Sequence, residues 1–162
     1  MSEGNPYNGY SWDERMEKFE EMKRRFKSGK LPYPTGRCRL CGDPDAEVEY
    51  HDEDYGLPYV WAEPAAYMIC HHCHVQRLHA RFRNPFHWHA YMAHVRRGGY
   101  SSDLKDPVIE AEFKKSVEAL KNGQPFELRP LRPYAGKLGQ EWFAGLTMDP
   151  ASLTGPPVRC RP

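Results

Sequence analysis

The sequence predicts an α+β fold in which helix outweighs strand. Several segments carry apolar residues at helical spacing, and two short segments have the alternating or apolar character of strands. Two Cys-x2-Cys pairs flank these predicted strands, and most of the prediction follows from them. With 162 residues, the chain is expected to form one domain with a buried core.

The first two parts of the chain are a polar terminus and a helical segment. Residues 1–10 are polar and are expected to be disordered. Residues 11–36 are expected to form a helix over residues 12–27 and then a Pro-rich linker. Ser11 precedes the helix and Glu14 follows three residues later, which is the pattern of a capping box. The helix carries apolar residues at helical spacing: Trp12, Met16, Phe19, Met22 and Phe26.

Residues 37–123 are predicted to contain a metal-binding domain and the helices that follow it. The predicted elements, in order, are strands at 46–50 and 67–70 and helices at 73–81, 85–97 and 106–122. Residues 124–162 are rich in Pro and Gly and are expected to form an extended C-terminal arm, either packed on the domain or mobile.

The two cysteine pairs, Cys38 with Cys41 and Cys70 with Cys73, predict a structural metal. Each pair can offer two thiolates to one ion, and tetrahedral zinc takes four such ligands in a closed site. Two pairs at this separation therefore favour Zn2+. The alternative is two disulfides or free buried thiols. The fifth cysteine, Cys160, gives an odd count, which argues against a complete disulfide framework.

Charge is distributed unevenly although the net charge is only +1. Eight acidic residues and no Lys or Arg lie between Asp43 and Glu63, whereas residues 71–100 contain no acidic residue. The basic stretch holds five arginines: Arg77, Arg81, Arg83, Arg96 and Arg97. A basic face of this kind suits a nucleic-acid partner, DNA more than RNA. The alternative is a domain whose two faces neutralise each other.

The ends and apolar runs of the chain bear on its location. The N-terminus is polar, and no apolar run approaches the roughly 18 residues of a membrane span. We therefore expect a cytoplasmic, reducing setting with no membrane partner, in which paired cysteines more often hold metal.

The region from residue 37 to residue 82 resembles the HNH, or ββα-metal, nuclease family. The resemblance is carried by the first cysteine pair, the segment Glu49-Tyr50-His51-Asp52-Glu53-Asp54-Tyr55, and the ending Cys70-His71-His72-Cys73-His74 with His79 further on. It is closest to small phage and bacterial members and covers roughly a quarter of the chain. It implies a zinc-stapled, HNH-like (treble-clef-like) core with flanking helices.

The resemblance also implies a chemistry for these residues. In the family, a hairpin histidine activates water and a divalent ion stabilises the charge of the phosphate. Carried over, His51 and His74 are expected to be catalytic, with Asp52 at the position of the general base. His74, His79 and Glu49 are the candidate ligands of a second ion, expected to be Mg2+ or Mn2+.

The family pattern is incomplete in two places, which keeps two functions open. Asp52 stands where the family has its basic histidine, and Ala65 falls near the family's central Asn. A one-residue shift would restore His51 as the base and leave Glu49 as a substitute ligand. The first hypothesis is a metal-dependent endonuclease that hydrolyses phosphodiester bonds. The second is a non-catalytic zinc module that binds nucleic acid or a protein partner.

Overall fold

The computed structural model describes residues 4–134. Its helices are α1 (Trp12–Lys27), a π-helix (His72–Leu78), α2 (Pro85–Arg96), a 3-10 helix (Ser101–Lys105) and α3 (Pro107–Lys121). The two strands are β1 (Val48–Asp52) and β2 (Ala66–Cys70). The described chain is thus α+β, with a cysteine cluster that could bind a metal at its centre.

Helix α1 begins and ends where the sequence predicts. The Ser11 side chain accepts a hydrogen bond from the Glu14 backbone N–H at 3.2 Å, and Glu14 accepts one from the Ser11 N–H at 2.8 Å. This reciprocal capping box satisfies two N–H groups that the first turn leaves without helical partners. Gly29, with φ of +71°, follows the C-cap Ser28 and adopts the left-handed conformation that stops the helix.

Strands β1 and β2 form an antiparallel hairpin in which Val48 pairs with Cys70 and His51 with Tyr67. The sequence prediction ends β1 two residues early, because it relied on an alternation that stops at Tyr50. Backbone hydrogen bonds from Glu53 and Asp54 to Ala65 continue the pairing past the strand. The hairpin therefore carries His51 in its paired section, not in its loop.

The segment after β2 differs from the helix that the spacing predicts over residues 73–81. It is a π-helix that ends at Leu78, and its distinguishing hydrogen bond runs from the His79 N–H to the His74 carbonyl at 3.1 Å. Five residues separate this donor and acceptor, against four in an α-helix. The wider turn changes which side chains lie together.

The main core surrounds the cysteines. It joins β2 and the π-helix to α2 and α3 through Ile69, Leu78, Trp88, Tyr91 and Phe113. Helix α3 is held in place at its start by Asp106, whose carboxylate accepts from the Val108 N–H at 2.8 Å. No residue of α1 belongs to this core.

Residues 4–10, which the sequence prediction treats as disordered, pack against the domain. Tyr7 and Tyr10 exchange two backbone hydrogen bonds of 2.9 Å and are 2% and 1% exposed. With Tyr55 and Phe82 they form a second apolar cluster. Buried aromatic surface thus offsets the cost of ordering this polar segment, which composition alone does not reveal.

Part of the predicted C-terminal arm packs on the end of α2. The Leu131 N–H donates to the Arg97 carbonyl at 2.8 Å, and the Arg132 guanidinium binds Asp103 and lies 3.8 Å from the centre of the Tyr100 ring. The structure thus describes the arm as far as residue 134. Residues 135–162, including Cys160, lie outside the described residues.

Candidate metal centres

Four cysteines from three elements converge at the base of the hairpin. Cys38 and Cys41 lie in a turn closed by the bond from the Gly42 N–H to the Cys38 carbonyl at 2.9 Å. Cys70 ends β2 and Cys73 lies in the π-helix. All four are buried free cysteines whose sulfur atoms lie within 4.8 Å of one another. This donor set could hold one metal ion such as zinc.

Donors around the sulfurs suit thiolate ligands. The Cys70 N–H donates to the Cys38 sulfur at 3.2 Å, and the Tyr91 hydroxyl lies 3.0 Å from the Cys73 sulfur. Hydrogen bonds among the sulfurs lower the pKa of the Cys70 and Cys38 thiols and raise the pKa of the Cys41 thiol. Thiolate is the form that binds metal. The cluster therefore fits a cation and would join the turn, the hairpin and the π-helix.

Three histidines form a second donor cluster. They are His51 of β1, His74 of the π-helix and His79 directly after it, and their donor atoms lie within 4.8 Å of one another. The ring centres of His51 and His74 are 5.0 Å apart, and those of His74 and His79 are 4.7 Å apart. Imidazole nitrogens at this separation can share one ion.

The π-turn explains why His74 and His79 lie side by side. In a regular α-helix, residues five apart point about 140° away from each other around the axis. The five-residue hydrogen bond between these two residues brings them onto one side of the helix. The family resemblance alone predicts His79 as a ligand, and the π-turn supplies the physical reason for its position.

Two glutamates set the orientation of the histidines. His51 Nε2 donates to Glu53 Oε1 at 2.8 Å, and His74 Nδ1 donates to Glu49 Oε1 at 2.5 Å. These bonds leave the lone pair on Nδ1 of His51 and on Nε2 of His74. Nδ1 of His51 is buried and has no hydrogen-bond partner. A carboxylate behind each ring is the usual support of a metal-binding histidine.

The surroundings of the histidine cluster favour the neutral form of its rings, which can bind a cation. Burial lowers the pKa of His51 well below its ordinary value. Burial likewise lowers the pKa of His79. The hydrogen bond from His74 lowers the pKa of Glu49. Histidines His51 and His79 are therefore neutral, which is the form that binds metal.

Asp52 does not join the histidine cluster in the way the sequence analysis expects of a base. Its carboxylate forms an ion pair of 2.7 Å with the buried ammonium of Lys18. Lys18 also donates to the carbonyls of Asp54 and Val60, at 2.7 and 2.8 Å. Burial raises the pKa of Asp52 and Lys18 opposes the rise. Asp52 thus links α1 to the hairpin.

Glu49 also lies elsewhere than expected, since it supports His74 and is not one of the clustered donors in residues 4–134. The site also contains Tyr7, which the sequence did not single out, and Arg81, which the sequence placed on a basic face. The Tyr7 hydroxyl donates to Glu53 at 2.9 Å and accepts from Arg81 at 2.5 Å. Tyr7 and Arg81 are 74 residues apart, and no local pattern connects them.

The five arginines of the predicted basic face separate into three groups. Arg81 and Arg97 are buried, Arg81 beneath Tyr7 and Arg97 against Glu112 at 2.5 Å. Arg77 lies over the rings of Tyr91 and Phe113, 4.9 Å from each centre. Only Arg83 and Arg96 of the five are exposed. The burial of Arg81 and Arg97 therefore leaves Arg83 and Arg96 as the exposed cations of the expected nucleic-acid face.

Comparison with known proteins adds no family. No model of a protein family matches the chain, and no curated protein or solved structure is detectably similar to it. Within residues 4–134, no helix has both the length and the apolar character needed to cross a bilayer. The two donor clusters are therefore the observations from which a function can be inferred.

Proposed function

We propose that this protein is an HNH-like, metal-dependent endonuclease that hydrolyses phosphodiester bonds in nucleic acid. The observation that carries the proposal is the cluster of His51, His74 and His79 beside the four-cysteine cluster. One cluster is a closed, sulfur-only set suited to structural zinc, and the other offers three nitrogens and leaves coordination positions open. The cysteine cluster would thus stabilise the fold, and the histidine cluster would hold one reactive ion.

The ligand chemistry favours a transition metal at the histidines. Imidazole suits Zn2+, Ni2+, Cu2+ and Fe2+, whereas Mg2+ prefers oxygen ligands. The nearby carboxylates Glu49, Glu53 and Asp52 contact histidine or lysine groups. We therefore revise the expected Mg2+ or Mn2+ in favour of Zn2+ or Ni2+. When bound, such an ion lowers the pKa of its water and stabilises the phosphate's developing charge.

The protein's own residues hold and orient this site. His51, His74 and His79 provide the nitrogen ligands, and Glu53 and Glu49 fix the first two rings through their N–H groups. Tyr7 and Arg81 cover Glu53 and keep it directed at His51. Because Asp52 is paired with Lys18, we assign it to positioning α1 and not to proton abstraction.

The proposal is tested by nicking of supercoiled plasmid and of a single-stranded circle, with Zn2+, Ni2+, Mn2+ or Mg2+ added in turn. His79→Ala should lower the rate by more than the roughly 10- to 100-fold typical of losing a hydrogen-bond partner of a metal ligand. His89→Ala is the matched control, because His89 is exposed on α2 and outside the cluster. Absence of wild-type cleavage with every ion would overturn the proposal.

The alternative is a non-catalytic zinc module that binds nucleic acid or a protein partner. The observation in its favour is the ion pair between Lys18 and Asp52. Asp52 is at the position of the family's general base, and this ion pair engages its carboxylate. It predicts binding of nucleic acid or protein without cleavage, and it requires an ion at the cysteines only. The same nicking assay, together with the metal content, separates the two functions.

A further inference from the structure

A groove of about 650 Å3 lies between α1 and β1. We call it the α1 groove, and His74 and His79 belong to its lining together with residues of both elements. Two of the three clustered histidines therefore face the same open space. A molecule in the α1 groove would lie next to the candidate metal site.

The wall that α1 provides is apolar and incompletely covered. Lys18 is the only buried residue of α1, so the stripe of Trp12, Met16, Phe19 and Met22 remains accessible. Trp12 is 38% exposed, and Phe19 is 43% exposed. Large apolar side chains aligned along one face of a helix without a covering element indicate a binding surface.

The far part of the α1 groove presents flat rings. Phe26 and Tyr33 are stacked with ring centres 4.4 Å apart and planes inclined by 22°, and Tyr50 continues the series 6.2 Å from Phe26. Tyr33 is 70% exposed, so one face of this stack meets solvent. A flat aromatic partner could extend it.

The charges lining the α1 groove do not exclude a phosphate chain. The two carboxylates of the lining are each paired with a cationic or N–H group, Glu49 with His74 and Asp52 with Lys18. The Arg15 guanidinium lies 5.5 Å from the centres of the Trp12 and Tyr7 rings, and its Nε is buried without a hydrogen-bond partner. Ring faces with one guanidinium are the usual elements of a site for unpaired bases.

We propose that the α1 groove binds unpaired bases of a single-stranded segment of nucleic acid and so brings its backbone to the histidine cluster. This inference rests on the proposed function and names its substrate form. Unpaired bases present their faces to aromatic side chains, whereas a duplex hides those faces and presents phosphates. The apolar lining of the α1 groove therefore matches the faces of unpaired bases and not the phosphates of a duplex.

The test is fluorescence anisotropy of a labelled 12-nucleotide single strand and of a hairpin duplex of the same composition, with the full-length zinc-bound protein and no other added ion. Phe19→Ala should weaken binding of the single strand about tenfold, the scale of one lost stacking contact. Phe86→Ala is the matched control, since Phe86 is 42% exposed on α2 and does not line the α1 groove. It should leave binding unchanged, and circular dichroism should show both variants folded.

Three results would overturn the inference. They are equal affinity of wild type and Phe19→Ala for the single strand, tighter binding of the duplex by wild type, and failure of every oligonucleotide to bind. Because no turnover is needed, this failure is separate from that of the proposed function. If the wild type cleaves nucleic acid and Phe19→Ala binds the single strand as tightly as the wild type, only the proposal for the α1 groove is rejected. If Phe19→Ala weakens binding but the wild type cleaves nothing, only the nuclease proposal is rejected.

Discussion

His51 and Glu53 lie two residues apart in sequence, and the His51 Nε2 atom lies 2.8 Å from the Glu53 carboxylate. The other ring nitrogen of His51 is buried without a hydrogen-bond partner. A buried polar atom without a partner costs free energy, and a cation at the histidine cluster would recover it. This relationship is the strongest local indication that the cluster binds an ion.

The first prediction concerns this support. Glu53→Gln should weaken binding of a metal at the histidines by roughly 10- to 100-fold, because a neutral amide orients His51 less strongly than a carboxylate does. Competition with a chromogenic chelator measures the affinity. Glu63→Gln is the control, since Glu63 binds Arg39 at the surface. Equal metal affinity of the two variants would show that Glu53 does not support the metal site.

The second prediction is that the cysteine cluster holds zinc and thereby the fold. The hairpin alone is too small to remain paired in water. Cys70→Ser should therefore lose the structural ion and several kcal/mol of folding free energy, as is usual for structural zinc. Cys160→Ser, which leaves the four clustered cysteines unchanged, should keep both. Elemental analysis and urea unfolding measure the two effects, and a zinc-free wild type that folds normally would contradict the prediction.

The third prediction concerns Lys18, whose buried ammonium contacts Asp52 and two backbone carbonyls. Lys18→Met should lower the free energy of unfolding by about 3–5 kcal/mol, because the Asp52 carboxylate would stay buried without its cation. Lys23→Met is the control, since Lys23 forms an exposed pair with Glu20 and such pairs contribute about 0–1 kcal/mol. Similar unfolding midpoints in urea for the two variants would show that the Asp52 carboxylate becomes hydrated when Lys18 is replaced.

The fourth prediction is a dependence of stability on pH through His94. Burial lowers the pKa of this histidine, whose Nε2–H donates to the Tyr100 carbonyl at 2.8 Å while Nδ1 faces the Arg97 guanidinium at 3.3 Å. Below the unfolded-state pKa of about 6.5, the unfolded chain takes up a proton that the folded protein does not. This group therefore removes stability as the pH falls through that value.

Urea unfolding at pH 7.5 and 5.5 measures the His94 effect. Over this interval, the free energy of unfolding of the wild type should fall by up to about 1.4 kcal/mol more than that of His94→Gln. This is the limit for one proton over the one pH unit below the unfolded-state pKa. Both proteins carry the same other titrating groups, so the difference isolates His94. An equal loss in the two proteins would show that His94 keeps an ordinary pKa.

Local features of this fold follow from the sequence. The capping box of α1, the two strands and the pairing of cysteines depend on spacing within a few residues, and they lie close to their predicted positions. The meeting of His51 and His74 follows from the hairpin and the helix that share the cysteines. These relationships are short in sequence or are fixed by the clustered sulfurs.

The remaining features depend on packing between distant segments. A π-turn at His74 has no spacing signal, because the same residues are compatible with an α-helix. The burial of Arg81 under Tyr7 and of Lys18 against Asp52 links segments 74 and 34 residues apart. Lys and Arg are usually exposed, so composition predicts a basic surface where the structure has buried cations.

The most direct test of the account is the number of ions that the zinc-loaded chain takes up from excess Zn2+ in equilibrium dialysis. The account predicts a second equivalent beyond the ion at the cysteines, lost in His79→Ala and retained in His89→Ala. A wild type that binds only the cysteine-held ion would contradict it. So would a second ion that His79→Ala leaves in place, and in either case the histidine cluster would not be a metal centre.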